Sequence, residues 1–286
     1  MMKLINVFVL VCLIGITFSC SDYNKVIKSD DYGRKMEVAN SYYENGQVLK
    51  EKRKGKTKIK SNVLLRSVAL YEQVYQRMPK TSEGELSYFR IGKAYYLAKD
   101  YTMAGYYLGV FPQRFPYSVK AEESMFLAAM CGVHNSPEVS LDQNETVLAI
   151  NDLQQFIDRY PNSILVDSCN SILDKLHFKL ELKDFQNVEL YSKTERYAAA
   201  VSSAETFIAD YPRSSFLEEV SFLMVQNSFS FAKNSVNSKK TERIEDTIER
   251  YSNFVAEFPE SKHLSKLTSY MVQMENELSK IKGSEK

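Results

Sequence analysis

Five of the seven prolines in this chain of 286 residues recur in one pattern: a large apolar residue, Pro, any residue, then Ser or Thr. The five copies lie at Pro79, Pro116, Pro161, Pro212 and Pro259, with spacings of 37, 45, 51 and 47 residues. Pro cannot continue a preceding helix, and a hydroxyl two residues later can cap the next one. The pattern therefore predicts five structural repeats, some of them enlarged by insertions.

The second copy shows what is repeated. Large and small apolar residues precede Pro116 in two groups, namely Tyr88, Ile91, Gly92 and Tyr95, then Ala104, Leu108 and Phe111. This spacing predicts two amphipathic helices with a small residue where they touch, and it resembles the tetratricopeptide repeat (TPR). Only 10 glycines are present, too few for a protein built of strands and tight turns. We predict an all-α fold, a TPR-type α-solenoid of five helical hairpins plus a C-terminal capping helix.

The repeat pattern divides the chain into eight segments. Residues 164–192 lack Gly and Pro, which predicts one long helix at the start of the fourth repeat. The predicted segments are a signal peptide (1–19), a lipidated N-terminal segment (20–32), TPR 1 with a basic insertion (33–82), TPR 2 (83–118), TPR 3 (119–163), TPR 4 with a long first helix (164–214), TPR 5 (215–261), and a capping helix with a polar tail (262–286).

The N-terminus has the pattern of a secretory signal. Lys3 precedes an apolar run from Leu4 to Phe18, and the small Ser19 is followed by Cys20. A signal that ends in a small residue and then Cys resembles the lipobox of bacterial lipoproteins, whose Cys is acylated; we therefore predict Cys20 as the lipid attachment site. The alternative is an ordinary signal cut near Ser19, which leaves a soluble periplasmic protein.

Two further cysteines remain in the mature chain, Cys131 and Cys169. A secreted chain that depends on disulfides for stability carries more than two. We expect two buried thiols on helices, with a Cys131–Cys169 bridge as the alternative.

Five TPR units behind a lipoprotein signal resemble the BamD family, the TPR lipoproteins of the outer-membrane β-barrel assembly machinery. The resemblance includes Ser136 to Gln143 (SPEVSLDQ), Ala232 to Ser235 (AKNS) and Ser238 to Arg243 (SKKTER). It implies a non-catalytic scaffold on the periplasmic face of the outer membrane. It further implies that the C-terminal repeats bind the POTRA domains of a BamA-like barrel subunit and that the N-terminal repeats receive unfolded outer-membrane proteins. The alternative is another periplasmic TPR adaptor, for example one that coordinates cell-wall synthesis with outer-membrane maintenance.

A TPR array lines its concave face with fixed positions of each first helix. In the first three repeats, the mixed aromatic and polar character of these positions suits an extended peptide with apolar anchors. Alternatively, the protein's own N-terminal segment or neighbouring helices fill part of this face. The predicted groove residues are Ser41, Glu44, Phe89, Lys93, Tyr96, Phe126 and Met130.

Two basic stretches are further candidates for binding. Lys50 to Lys60 (KEKRKGKTKIK) carries seven positive charges and one negative; it is either a solvated insertion loop or a contact for an acidic partner or lipid head groups. Lys239, Lys240 and Arg243 lie in the fifth-repeat insertion, where the family resemblance implies partner docking. The alternative is simply the basic start of the next helix.

Catalytic and metal-binding patterns are absent from the sequence. The three histidines are far apart, and no HExxH, GxSxG, Walker or CxxC motif occurs. The net charge of +1 gives no overall field for nucleic acid, and a periplasmic location argues against such a partner. We therefore expect no catalytic residue, cofactor or metal, and a protein that is not an enzyme.

Overall fold

The computed structural model describes residues 22–47, 50–51, 57–58 and 60–284. Within them the prediction of an all-α, TPR-type fold is confirmed: five helical hairpins, α2/α3, α4/α5, α6/α7, α8/α9 and α10/α11, are followed by the C-terminal helix α12. The elements are α1 (residues 22–28), α2 (Tyr32–Gln47), β1 (Lys50–Glu51), β2 (Thr57–Lys58), α3 (Ser61–Arg77), α4 (Ser82–Ala98), α5 (Tyr101–Arg114), α6 (Ala121–Asn135), α7 (Asn144–Arg159), α8 (Val166–Lys193), α9 (Tyr197–Asp210), α10 (Leu217–Lys233), α11 (Asn237–Glu257) and α12 (Leu264–Ser284).

Each Pro motif closes one hairpin with the same hydrogen bonds. The backbone N–H of the Ser or Thr donates to the carbonyl of the residue before Pro, at 3.0 to 3.3 Å in all five copies. This places Pro at the second position of a four-residue turn, where its fixed φ is favourable. In the last four copies the Ser Oγ accepts from the backbone N–H two residues on, while Thr81 Oγ1 accepts from Gly84 N.

Three of the turn serines also bond to the first helix of the repeat that they close. Ser118 Oγ donates to Glu85 Oε1 at 2.6 Å, where Glu85 lies in the first turn of α4. Ser214 bonds to Glu181 and Ser261 to Glu218 in the same way. The hydroxyl of each of these serines thus caps the chain that follows the turn. It also connects that chain to the first helix of the repeat that the turn closes.

The repeat positions fill the core. The residue five positions before each Pro is at most 2% exposed, and the residue twelve positions before it is completely buried. Small residues at the second position let the two helices of a hairpin approach, while the larger residues at the first, four of them phenylalanines, fill the core. The first set is Val74, Phe111, Phe156, Phe207 and Phe254; the second is Ser67, Ala104, Ala149, Ala200 and Thr247.

The described chain forms two compact units. Unit 1 contains the residues up to Pro137 together with Asp142–Leu173, and unit 2 contains Glu138–Leu141 and Asp174–Lys286. The 28-residue helix α8 runs from the first unit into the second. In unit 2, Leu267, Met271 and Met274 of α12 are buried, so this helix covers the last hairpin.

The basic insertion of the first repeat contains a two-stranded antiparallel ribbon. Lys50 pairs with Lys58 and Glu51 with Thr57, whereas residues 52–56 and 59 lie outside the described residues, as does the predicted lipid attachment site Cys20. Neither interpretation of the basic run is decided by this ribbon. No helix among the described residues is long and apolar enough to cross a bilayer.

Cys131 and Cys169 are both free and buried. The expectation of two buried thiols is therefore confirmed, and the alternative of a bridge is wrong. Burial raises the pKa of the Cys131 thiol to about 12 and also raises the pKa of the Cys169 thiol. A neutral thiol is a poor nucleophile, so both cysteines act as small apolar residues of the core.

Candidate functional site

The predicted groove residues all lie in unit 1, on α2, α4 and α6. The polar centre of the predicted groove is a pair of contacts between α4 and α6. Lys93 Nζ and Glu123 Oε1 are 2.5 Å apart, with the side chains 31% and 47% exposed. One turn further along α4, the Tyr96 hydroxyl lies 3.3 Å from His134 Nε2. An ion pair and a polar aromatic contact thus join the first helices of the second and third repeats.

Aromatic rings surround the Tyr96 end of this surface. Tyr101 stacks on His134 with ring centroids 4.3 Å apart, and it meets Tyr96 edge to face at 5.7 Å. Burial raises the pKa of Tyr96, with smaller contributions from Cys131 and Tyr101, so its hydroxyl stays protonated. The cluster can therefore offer ring faces and a hydrogen-bond donor to a ligand at the same time.

Two of the predicted anchors are turned toward the protein interior. Phe89 is only 4% exposed and packs edge to face on Phe111, with Lys93 Nζ 5.6 Å from the Phe89 ring centroid. Phe126 is half-buried against Phe156, with centroids 5.6 Å apart. Helices α5 and α7 therefore cover Phe89 and part of Phe126, and Phe89 belongs to the floor of the predicted face.

The other predicted residues differ in their exposure. Ser41 and Glu44 on α2 are exposed, and Ser41 Oγ accepts a hydrogen bond from Asn45. Met130 on α6 is half-buried. The accessible part of the groove therefore consists of Ser41 and Glu44 on one side, Lys93 and Tyr96 in the centre, and the half-buried Phe126 and Met130 on the other.

A partly buried network fixes α2 relative to α4. Asn40 Oδ1 accepts from the Tyr71 hydroxyl at 2.8 Å and from Arg90 Nη1, which also donates to the Tyr71 oxygen at 3.0 Å. Burial raises the pKa of Tyr71 to about 12, although its bond with Arg90 acts in the opposite direction. The Arg90 guanidinium also lies 5.1 Å from the Tyr43 ring centroid. Bonds of this kind hold helices in one arrangement, which preorganises the groove.

Glu123, His134 and Tyr101 belong to this surface but were absent from the sequence prediction. A sequence signal for the first two does exist. Glu123 lies three residues before Phe126, and His134 lies four residues after Met130, so both share the predicted face of α6. Tyr101 begins the second helix of its hairpin and reaches the cluster from the side.

The three basic residues predicted for partner docking lie at the start of α11, in unit 2. Lys239 is exposed and pairs with Glu242 one turn on. Lys240 is largely covered and pairs with Glu277 of α12 at 2.5 Å. Arg243 lies 3.8 Å from the Phe231 ring centroid and donates to Ser235 Oγ at 2.6 Å. Lys240 and Arg243 therefore fix local structure, and Lys239 is the cation most accessible to a partner.

No group of three or more His, Cys, Asp or Glu side chains among the described residues could hold a metal ion. A separate depression between α5 and α7, lined by Tyr106, Met125 and Ala128 among others, has a volume of about 360 Å³.

Two comparisons relate the chain to known proteins. The family YfiO, described as an outer membrane lipoprotein, matches residues 47–203 and 191–282. A curated protein of Caulobacter vibrioides, named outer membrane protein assembly factor BamD, is 23% identical over 168 residues. That match covers 59% of this chain and 55% of the relative, so it spans about half the length of the relative. The family match includes the groove residues of α4 and α6 and the basic start of α11.

Proposed function

Since the chain belongs to the YfiO family of outer membrane lipoproteins, we propose that it is a non-catalytic scaffold of the β-barrel assembly machinery. In this role it aids the folding and insertion of outer-membrane β-barrel proteins. Unit 1 binds incoming chains, unit 2 binds a BamA-like barrel subunit through its POTRA domains, and an acylated Cys20 anchors the protein on the periplasmic face of the outer membrane.

The family match over residues 47–203 and 191–282 is the observation that carries the proposal. The family description supports a location at the outer membrane, and the name of the curated relative supports a role in outer-membrane protein assembly. Helical repeats in turn supply what a scaffold needs, which is a long surface built from similar units, each with its own side chains.

The groove of unit 1 suits an extended segment of an unfolded barrel protein. Such segments alternate apolar and polar side chains, and they carry unpaired backbone donors and acceptors. Tyr96, Tyr101 and Met130 offer apolar contact, while the half-exposed Lys93–Glu123 pair offers a donor and an acceptor within 2.5 Å of each other. In the proposed complex the pair opens to bond the backbone of the bound segment, and the rings bind its side chains.

Unit 2 is the proposed docking region for the barrel subunit. The exposed Lys239 supplies a charge that a partner carboxylate can reach. Arg243 stacks on Phe231 and is therefore ordered before binding, which limits the loss of side-chain conformational entropy on binding. Lys240 holds α11 to α12 through Glu277, so the basic start of α11 is rigid before the partner arrives.

The groove is tested by replacing its accessible apolar contacts in the mature chain. We expect the double substitution Tyr96→Ala and Met130→Ala to weaken binding of a peptide from the C-terminal strand of a barrel protein by about 10-fold or more. Aromatic contacts at the centre of an interface contribute more than about 1 kcal/mol, and about 1.4 kcal/mol corresponds to a tenfold change in affinity. Fluorescence anisotropy of a labelled peptide measures the change.

The matched control is Tyr106→Ala, which removes a 59% exposed tyrosine of α5 that lies outside the groove. Its affinity for the peptide should equal that of the wild type, and the circular dichroism spectra of all three proteins should agree. Equal peptide affinity in the double variant and the control would exclude the groove as the binding site.

A further inference from the structure

Three apolar side chains of unit 1 project into solvent from the turns between repeats. Tyr117 is 99% exposed, Val119 91% and Ile164 94%. Tyr117 and Val119 follow Pro116, and Ile164 follows Pro161 at the position that corresponds to Val119. Equivalent turns of a helical repeat array lie along one edge. Ser118 supports this arrangement, because it bonds to Glu85 in the first turn of α4, next to the preceding turn.

The turn itself does not require apolar residues at these positions. The same two positions hold Arg213 and Ser215 in the fourth repeat, and Glu260 and Lys262 in the fifth, with the same backbone hydrogen bonds. An exposed apolar side chain gains nothing from folding, since it remains in water in both states. The tyrosine, valine and isoleucine of unit 1 therefore lack an explanation within the fold.

Basic residues accompany these turns in unit 1. Arg77, Arg114 and Arg159 occupy the last turns of α3, α5 and α7. Of these, Arg114 also donates to the Tyr75 hydroxyl at 2.5 Å and lies 5.1 Å from the Tyr88 ring centroid. The corresponding helices of unit 2, α9 and α11, have no basic residue there and end in Asp210 and Glu257. A favourable interaction with the helix dipole would apply equally to all five helices. It does not account for the difference between the units.

Most carboxylates near this edge lie in the first turns of the helices that follow it, although the exposed Asp158 adjoins Arg159 in the last turn of α7. Glu83 and Glu85 are in the first turn of α4, and Glu122 and Glu123 in that of α6. Two of the four are engaged, because Glu85 accepts from Ser118 and Glu123 pairs with Lys93. The most exposed side chains of these turns are thus apolar, and the charged groups lie in the helix ends on either side of them.

We propose that this turn edge of unit 1, defined by Tyr117, Val119 and Ile164, inserts into the interface of a phospholipid bilayer. Tyrosine favours the head-group region, aliphatic tips enter the acyl boundary, and arginine and lysine extend to the phosphates. Separate projecting side chains suit a soft bilayer surface, whereas protein partners are usually bound by contiguous packed patches. The inference rests on the proposed location at the outer membrane but not on any binding partner.

Three exposed side chains bind a bilayer only weakly when the protein is free in solution. On a chain that is already tethered to the membrane the contact becomes intramolecular, and the high effective concentration makes weak contacts sufficient. The contact then sets which edge of unit 1 faces the bilayer, and with it the direction in which the groove opens.

The absence of tryptophan from the chain gives a direct test. Tyr117→Trp and Ile164→Trp each introduce a single fluorophore at the edge, while Arg213→Trp and Glu260→Trp place one in the equivalent turns of unit 2. The mature chain is tethered by an N-terminal histidine tag to phosphatidylethanolamine–phosphatidylglycerol vesicles that contain a nickel-chelating lipid. This tether is independent of Cys20, and no partner or substrate is present.

We expect the emission of the Trp at positions 117 and 164 to shift to the blue on tethering and to be quenched by brominated lipids. The Trp at positions 213 and 260 should keep its emission from solution. Equal behaviour at all four positions would overturn the proposal. A blue shift that needs the added barrel subunit, without quenching by brominated lipid, would assign the edge to a protein partner and would also overturn it.

Discussion

Gly84→Ala is expected to destabilise unit 1 by about 3 kcal/mol, at the upper end of the usual cost of overpacking. A Cβ at Gly84 would lie 1.9 Å from the carbonyl oxygen of Met78 and 3.2 Å from Cα of Pro79. Both are backbone atoms of the turn between the first two repeats, so no side chain can move aside. The added methyl group must displace the turn and break the bond from Gly84 N to Thr81 Oγ1.

Gly109→Ala is the matched control, because it makes the same chemical change within a helix. A Cβ at Gly109 would lie 4.0 Å from Cβ of Ala128, an ordinary van der Waals distance. Replacing a helical Gly with Ala should therefore stabilise the protein by about 0.5 to 1 kcal/mol. Thermal denaturation, together with hydrogen exchange of the α4 and α5 amides, measures both effects. Equal stability of the two variants would show that Gly84 is not sterically constrained.

Cys20→Ala is expected to abolish acylation and to release the protein from the membrane into the periplasmic fraction. Each buried CH₂ of an acyl chain contributes about 0.8 kcal/mol to membrane binding, so two or three chains anchor a protein almost irreversibly. Without them, the weak contacts of the exposed turns cannot hold the chain. Metabolic labelling with a fatty-acid analogue and fractionation after a high-salt wash measure the loss of the acyl chains and of the anchor.

Cys131→Ala controls for the substitution itself, because Cys131 is a buried free thiol in unit 1. This variant should remain acylated and in the washed membrane fraction. The label also separates an acyl anchor from a signal peptide that remains uncleaved, since only the former incorporates the analogue. A labelled Cys20→Ala protein would refute Cys20 as the attachment site.

The core of each repeat could be predicted from the sequence because Pro sets the phase. Once the five prolines are aligned, Phe111, Phe156, Phe207 and Phe254 fall at one position, and all four are buried. The bond between Ser118 and Glu85 could not be predicted in the same way. Its partners lie 33 residues apart, and only the packing of successive hairpins brings them together.

The accessible part of the groove was less predictable than the core. A helix periodicity gives the face on which a residue lies, but not whether a neighbouring ring covers it. Phe89 occupies a groove position and is nevertheless buried on Phe111, whereas His134 enters the surface through its contact with Tyr96. The ribbon of the basic insertion was also unpredictable, because Lys50–Glu51 and Thr57–Lys58 have no alternation of apolar and polar residues.

The division into two units has no signature in the repeat pattern. Residues 164–192 lack Gly and Pro, so the sequence predicts a continuous helix and gives no sign of where one unit ends. The helix α8 is indeed continuous over Val166–Lys193, yet its first eight residues pack in unit 1 and the rest in unit 2. The two units differ in which helices pack against each part of α8, and no local sequence pattern records that packing.

Affinity purification of the full-length chain from solubilised cell envelopes, read by mass spectrometry, tests its role as a scaffold most directly. Lys239→Glu reverses the accessible positive charge at the start of α11. The control, Lys262→Glu, reverses an exposed positive charge in the turn that follows Pro259. We expect a barrel protein with POTRA domains to copurify with the wild type and with Lys262→Glu, and its recovery to fall strongly with Lys239→Glu. Recovery of cell-wall enzymes without any POTRA-containing protein would contradict a role in β-barrel assembly.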